Sequence, residues 1–248
     1  MDQKKFSTAR WKRPKWAAII FAAIFLIGAI PEFYKTNKGE SRSLGSVRDG
    51  GLENGWLVPF SGKNFRYFSQ LSYYLFDNGY THSKTWRTII DAYRTCETTC
   101  PGTQFRLMEC SDKSGGRLMI HRTHQNGTSA DFMVPKKRGG SQSTFFDHLG
   151  YFHYLIDFDE KGRLFGAKSV EIDFEAVARH ILAIDEAAKA NGLKIRKIIF
   201  RLELMNELLA TPSGKLVAER GIYFAQRLPY WTNRVHDDHY HIDFVNAE

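Results

Sequence analysis

The 248-residue chain has only three cysteines, and it contains no internal repeats and no low-complexity tracts, which argues against a repeat array. Cys96, Cys100 and Cys110 lie within fifteen residues of one another. In an oxidising compartment they would allow one disulfide and leave one thiol over, and the sequence leaves the pairing open. Zinc binding by Cys96 and Cys100 is the competing interpretation, but one further cysteine does not complete a tetrahedral thiolate site.

The N-terminal region lacks the run of about 20 apolar residues that spans a bilayer as a helix. A shorter uncharged run covers residues 16–30 and follows a flank, residues 1–15, with six basic residues and one acidic residue. This order is typical of a signal anchor in the inner membrane or of a cleaved signal peptide. Either would place the rest of the chain outside the cytoplasm, in the periplasm or cell envelope. If residues 16–30 were a buried core helix, the protein would instead be cytosolic.

The charge of the chain is concentrated at its N-terminus. The basic flank supplies +5 of the net charge of +8, so the remainder carries only about +3 and does not indicate a nucleic-acid partner. Residues 31–55 are rich in glycine, serine and charged residues, which predicts a linker and surface loop. The length then suits one folded domain over residues 56–248.

The pattern of apolar residues in this domain predicts an α+β fold with a central, mostly antiparallel sheet and flanking helices. Apolar spacing predicts amphipathic helices, the clearest being 170–191 with Asp173 at its start. Alternation and short apolar runs predict the strands, of which 104–109 should be half-buried. The predicted helices are 84–96 and 170–191, and the predicted strands are 104–109, 131–134, 194–204 and 239–245.

Five of the nine histidines fall into two groups, His121 with His124 and His236 with His239 and His241. Imidazoles together with a carboxylate are the ligands of catalytic zinc sites, which keep one position open for water. Two such groups therefore predict one convergent site in a metal-dependent hydrolase. The chain has no HExxH helix, which excludes the common zincin arrangement.

The final predicted strand divides its residues cleanly between two faces. Because side chains alternate along a strand, His239, His241 and Asp243 should share one face, and the apolar residues between them should face the core. In the first group, the loop containing Gly127 could bring His124 and Asp131 to one ion. The remaining histidines, His82, His148, His153 and His180, are each interpreted as surface or core residues, and Asp237 and Asp238 as solvated turn residues.

These motifs carry a resemblance to a known family. The pattern His-x2-His-x2-Gly-x3-Asp, followed far downstream by His-x2-His-x-His, resembles the penicillin-insensitive murein endopeptidases. They belong to a group of zinc peptidases that includes lysostaphin, the D-Ala-D-Ala peptidases and the Hedgehog signalling domain. Matching segments in the same order extend the resemblance over roughly residues 41–248, although Asp237-Asp238 is more acidic than the family pattern. The matching segments are Ser43-Leu-Gly-Ser46, Phe65-Arg-Tyr-Phe68, Ser114-Gly-Gly-Arg117 and Pro229-Tyr-Trp231.

The resemblance implies a Hedgehog/D-Ala-D-Ala-peptidase-like fold and a zinc ion held by His124, Asp131 and His241. It implies that His239 is the active-site histidine and that His121 and His236 line the cleft. The implied activity is hydrolysis of peptide cross-links in peptidoglycan that contain D-amino acids, by a mechanism insensitive to β-lactams. The alternatives are a D,D-carboxypeptidase or dipeptidase of the same group, and a non-catalytic zinc module that binds the cell wall.

The residues suggest a hypothesis for the chemistry. His239 accepts a proton from water activated by zinc and passes it to the leaving amine. A protonated His236 or His121 could stabilise the oxyanion. Asp243 could orient a metal-binding imidazole.

Overall fold

A computed structural model describes residues 37–118 and 121–247, together with Trp16, Ile19 and Ile20. The described strands are β1 (Arg42–Ser46), β2 (Asp49–Glu53), β3 (Trp56–Leu57), β4 (Phe65–Tyr67), β5 (Tyr80–Thr81), β6 (Phe105–Leu107), β7 (Ser129–Met133), β8 (Lys136–Arg138), β9 (Ser141–Gln142), β10 (Val170–Ile172), β11 (Leu193–Ile199) and β12 (His239–Asn246). The described α-helices are α1 (Gln70–Tyr74), α2 (Ser83–Thr99), α3 (Phe174–Ala190), α4 (Met205–Ala210), α5 (Pro212–Glu219) and α6 (Tyr230–Arg234). Short 3-10 helices cover Phe145–His148, Gly150–Leu155 and Leu202–Leu204.

The central sheet has five strands in the order β11-β12-β7-β6-β4. Its pairs are antiparallel except for β4 and β6, which run parallel, so the predicted α+β class with a mostly antiparallel sheet is confirmed. Strand β12 lies between β11 and β7, and its register places His241 opposite Asp131. The sheet therefore brings the two predicted histidine groups together.

The apolar face of β12 forms part of the core. Tyr240, Ile242 and Phe244 are buried, and the ring of Tyr240 stacks on Phe132 of β7 at 5.6 Å between centroids. Helices α2 and α3 pack against each other, and α3 also contacts β11. Burying one face of β12 leaves the other face, with His239, His241 and Asp243, for polar contacts.

Helix α2 confirms the helix predicted at 84–96, and α3 confirms most of the helix predicted at 170–191. The predicted start of the second helix is wrong, because Val170–Ile172 forms β10 and pairs with β8. The carboxylate of Asp173 accepts a hydrogen bond from the Ala176 amide at 3.1 Å, so the helix begins directly after this cap.

Two strand predictions also need correction. The strand predicted at 194–204 ends at Ile199, because Arg201 and Leu202 leave the sheet to donate to His236 and Asn233. The strand predicted at 104–109 covers only 105–107 and is fully buried rather than half-buried.

The segment predicted as a linker contributes to the folded unit, which spans residues 36–248. Strands β1 and β2 form a hairpin, and Leu52 is buried in the core. The Ser43 hydroxyl donates to the Asn126 carbonyl at 2.7 Å, which ties the hairpin to the loop that follows His124. The domain boundary predicted at residue 56 is therefore too late.

The predicted disulfide is not formed, since all three cysteines are buried free thiols. Cys96 and Cys100 lie one turn apart at the end of α2, where the Cys100 amide donates to the Cys96 carbonyl. Cys110 follows β6 in the central sheet. Within the described residues, the clusters able to hold a metal ion contain no cysteine.

The predicted anchor or signal peptide at 16–30 lies almost entirely outside the described residues. Within the part of the chain that the structure describes, no helix has both the length and the apolar character needed to cross a membrane.

Candidate metal centre and its histidines

Three side chains from the two histidine groups converge at the centre of the sheet. We call His124, Asp131 and His241 the central trio. His241 Nδ1 lies 2.7 Å from Asp131 Oδ1 and 3.0 Å from His124 Nε2, and His124 Nε2 lies 3.2 Å from Asp131 Oδ2. All three residues are buried. The structure thus brings together the three residues that the resemblance implies as metal ligands.

The backbone at His124 is held in the left-handed region, with φ of 69°. Non-glycine residues adopt this region rarely, although histidine does so more often than most. The Ser111 hydroxyl donates to the His124 carbonyl and also accepts from the Gly127 amide at 3.0 Å. These two bonds stabilise a strained turn, and the turn points the imidazole at Asp131.

Asp243 orients the second imidazole of the trio. Its Oδ1 lies 2.7 Å from His241 Nε2 and also accepts from the Ser129 hydroxyl, while its Oδ2 lies 3.1 Å from Lys197 Nζ. Because a carboxylate only accepts, Nε2 carries the proton and Nδ1 faces the trio. Hydrogen bonding of the outer nitrogen to a carboxylate is the usual support of a metal-binding histidine.

The charges around His241 favour a cation. Burial lowers the pKa of His241, but Asp243 and Asp131 outweigh burial and raise the pKa to about 10. Both ring nitrogens face carboxylates, so the position suits either a second proton on Nδ1 or a metal ion beside Nδ1 and Asp131. Two imidazole nitrogens and one carboxylate are a set of donors that suits a divalent transition metal.

His121 lies on one side of the trio and is held by a buried carboxylate. Its Nε2 is hydrogen-bonded to Glu109 Oε2, and its Nδ1 lies 3.7 Å from Asp131 Oδ2. The nearest donor atoms of His121, His124 and Asp131 fall within 4.8 Å of one another, so this group could also hold a metal ion. Burial raises the pKa of Glu109, but His121 and Tyr151 outweigh it and lower the pKa to about 2. Glu109 is therefore an ionised partner.

Asp238 holds His239 in the same way on the other side. Its Oδ1 lies 2.8 Å from His239 Nδ1, and its Oδ2 lies 2.6 Å from His153 Nδ1. The carboxylate keeps the proton of His239 on Nδ1, so Nε2 is the atom available for chemistry. Burial lowers the pKa of His239, but the hydrogen bond and charge of Asp238 raise it above its ordinary value.

The interpretation of Asp237 and Asp238 as solvated turn residues is wrong. Asp237 and Asp238 are buried rather than solvated, with exposures of 4% and 1%. Asp237 accepts from the Phe158 amide and from Arg201, so it stabilises the turn before β12. His153, which the sequence does not distinguish from other histidines, contacts the site through Asp238.

His236 stacks beside His239, with ring centroids 4.6 Å apart. Its Nδ1 donates to the Thr232 carbonyl, and burial lowers its pKa to about 3. It is therefore neutral near pH 7, which disfavours the protonated form in the hypothesis from sequence. The structure thus places His236 beside His239.

The other three histidines match their interpretation as surface or core residues. His82 caps α2 by accepting from the Lys84 amide, His148 contacts Arg106, and His180 is buried between the rings of Tyr93 and Phe105.

A cavity of about 180 Å³ opens beside His121. Glu109 and Tyr151 form part of its wall. Its lining residues are Phe76, Asn78, Glu109, Asp112, Arg117, Leu118, His121 and Tyr151.

Sequence reasoning missed four residues of this region: Glu109, Tyr151, His153 and Asp238. Only Asp238 carried a signal, since an acidic residue directly before an active-site histidine can orient its ring. Comparison with known proteins adds no further evidence on the site, because no protein-family model and no curated protein matches the chain significantly.

Proposed function

We propose that this protein is a zinc-dependent endopeptidase that hydrolyses D-amino-acid-containing peptide cross-links of peptidoglycan. The observation that carries the proposal is the convergence of His124, Asp131 and His241, with Asp243 fixing the tautomer of His241. The central trio would hold the ion. Zinc supplies Lewis acidity, which lowers the pKa of water and polarises a carbonyl.

His239 is the proposed base. Its Nδ1 is bound to Asp238, so Nε2 can accept the proton of the attacking water and later deliver it to the leaving amine. Asp238 raises the pKa of His239 above its ordinary value, which favours the protonated form that the second step needs.

His121 is the better of the two proposed oxyanion partners. Its Nε2 is hydrogen-bonded to the ionised carboxylate of Glu109, whereas burial lowers the pKa of His236 to about 3. A charged donor placed near developing negative charge stabilises a transition state without further reorganisation.

The substrate class rests on the motifs shared with the murein endopeptidases. Hydrolysis needs no serine nucleophile, so β-lactams should not acylate the enzyme. The cavity next to His121 offers space for a residue near the scissile bond. The basic flank and apolar run at the N-terminus support export to the cell envelope, and a reporter fused after residue 36 would test the location.

The test is hydrolysis of purified cross-linked muropeptide dimers. We expect the zinc-loaded protein to convert dimers to monomers, and both a chelator and the His241→Ala substitution to abolish conversion. Equal conversion by wild type and His241→Ala would exclude the mechanism. Release of free D-alanine without dimer cleavage would identify a D,D-carboxypeptidase instead. Tight binding of peptidoglycan without turnover would identify a wall-binding module.

A further inference from the structure

The two histidines that flank the central trio are supported by one short element. Each is bound to a buried carboxylate, His121 to Glu109 and His239 to Asp238. Each carboxylate uses one oxygen for its histidine and the other for a residue of the 3-10 helix Gly150–Leu155. On both sides of the site, a buried carboxylate therefore links a histidine to this 3-10 helix.

On the first side, Glu109 Oε1 accepts from the Tyr151 hydroxyl at 2.7 Å. The same oxygen accepts from Ser72 at 3.2 Å and Asn78 at 3.1 Å, so the carboxylate cannot rotate without breaking several bonds. Its Oε2 then holds His121 Nε2, which directs Nδ1 towards Asp131.

On the second side, Asp238 Oδ2 accepts from His153 Nδ1 at 2.6 Å. His153 is fully buried, and its Nε2 has no hydrogen-bond partner among the described residues. A buried polar atom without a partner is costly, so packing alone would favour an apolar residue here. The bond to Asp238 is the one polar contact of this side chain that the structure shows, and it fixes the carboxylate that holds His239.

We propose that Tyr151 and His153 are positioning residues, through which the helix Gly150–Leu155 fixes the ring orientations of His121 and His239 by way of Glu109 and Asp238. The role in catalysis rests on the proposed function, whereas the role in orienting the two rings does not. Because the two chains of bonds are separate, each residue should act on its own histidine only.

The experiment measures the ring protons of His121 and His239 by NMR in the full-length protein, without substrate. In wild type, the His121 Nε2 proton and the His239 Nδ1 proton should exchange slowly with water. His153→Phe should speed exchange at His239 at least about tenfold and leave His121 unchanged. Tyr151→Phe should speed exchange at His121 at least about tenfold and leave His239 unchanged. His153→Asn, which keeps a donor near the position of Nδ1, should return His239 towards wild type.

Phe152→Leu is the matched control, since Phe152 lies on the same helix and is exposed. This variant should leave the exchange rates of both ring protons unchanged. Equal effects of Tyr151→Phe and His153→Phe on both histidines, or no effect of either, would overturn the proposal.

Kinetics of dimer cleavage then separate positioning from a structural effect. We expect His153→Phe to lower kcat about 10- to 100-fold with KM within about twofold, and His153→Asn to recover part of the loss. A change confined to KM would contradict positioning. If the proton exchange rates change as expected but the wild-type protein cleaves no dimer, the proposed endopeptidase function is wrong. The proposal that Tyr151 and His153 orient the two histidines is then still supported.

Discussion

Asp243 fixes the outer nitrogen of His241, so its substitution tests whether the central trio is organised to bind a metal. Asp243 Oδ1 lies 2.7 Å from His241 Nε2. Loss of such a partner lowers metal affinity by about 10- to 100-fold, which is about 1.4–2.7 kcal/mol. Asp243→Asn keeps an acceptor oxygen and loses the charge, so we expect about a tenfold loss of zinc affinity. Asp243→Ala removes both the acceptor oxygen and the charge, so it should lower the zinc affinity about 100-fold.

The assay is competition for zinc against a coloured chelator of known affinity. Asp238→Asn is the matched control, because Asp238 is equally buried and also holds a histidine, but that histidine is outside the central trio. Its zinc affinity should stay within about threefold of wild type. Equal losses in Asp238→Asn and Asp243→Asn, or no loss in Asp243→Ala, would refute the assignment of His241 as an oriented ligand.

Three further predictions concern catalysis, the core and acid stability. Asp238→Asn should lower kcat for dimer cleavage by about 100-fold or more, because the base loses its partner, and a kcat near wild type would contradict that role. Lys136 is fully buried and its Nζ lies 2.9 Å from Asp147, so Asp147→Ala should cost about 3–5 kcal/mol in urea unfolding. The Lys136→Met/Asp147→Leu pair should recover most of this loss, and a negligible cost for Asp147→Ala would show that the pair is not buried. Burial lowers the pKa of His180 to about 3 from 6.5, so the unfolded chain binds a proton between these values that the folded protein does not. His180 should therefore lower the free energy of unfolding by about 3 kcal/mol between pH 7 and pH 4.5. In the His180→Gln variant, the free energy of unfolding measured in urea should fall less steeply over this pH range. If the free energy of unfolding of His180→Gln fell as steeply with pH as that of wild type, His180 would be excluded as the cause of the loss.

The parts of the site that follow a strand period could be predicted from the sequence. The alternation along β12 predicts that His239, His241 and Asp243 share a face, and the contact between His241 and Asp243 confirms it for that pair. Apolar spacing likewise predicts α2 and the body of α3. These features depend on local periodicity, which a single sequence displays directly.

The supporting residues could not be predicted, because their positions depend on tertiary contacts. Tyr151 and His153 lie on a 3-10 helix too short to show a period, and Glu109 lies beyond the end of β6. The local sequence also gives a wrong prediction for Asp238, because an acidic pair in a turn is usually exposed to solvent. Two buried histidines supply the contacts that make its burial favourable.

We propose that zinc binds to His124, Asp131 and His241. Anomalous diffraction at the zinc edge from crystals of the zinc-loaded protein tests it most directly. We expect a strong anomalous peak bonded to His124 Nε2, Asp131 and His241 Nδ1, at about 2.0–2.2 Å from each. A peak at the His153, Asp238 and His239 group, or no ordered zinc at the central trio, would contradict it.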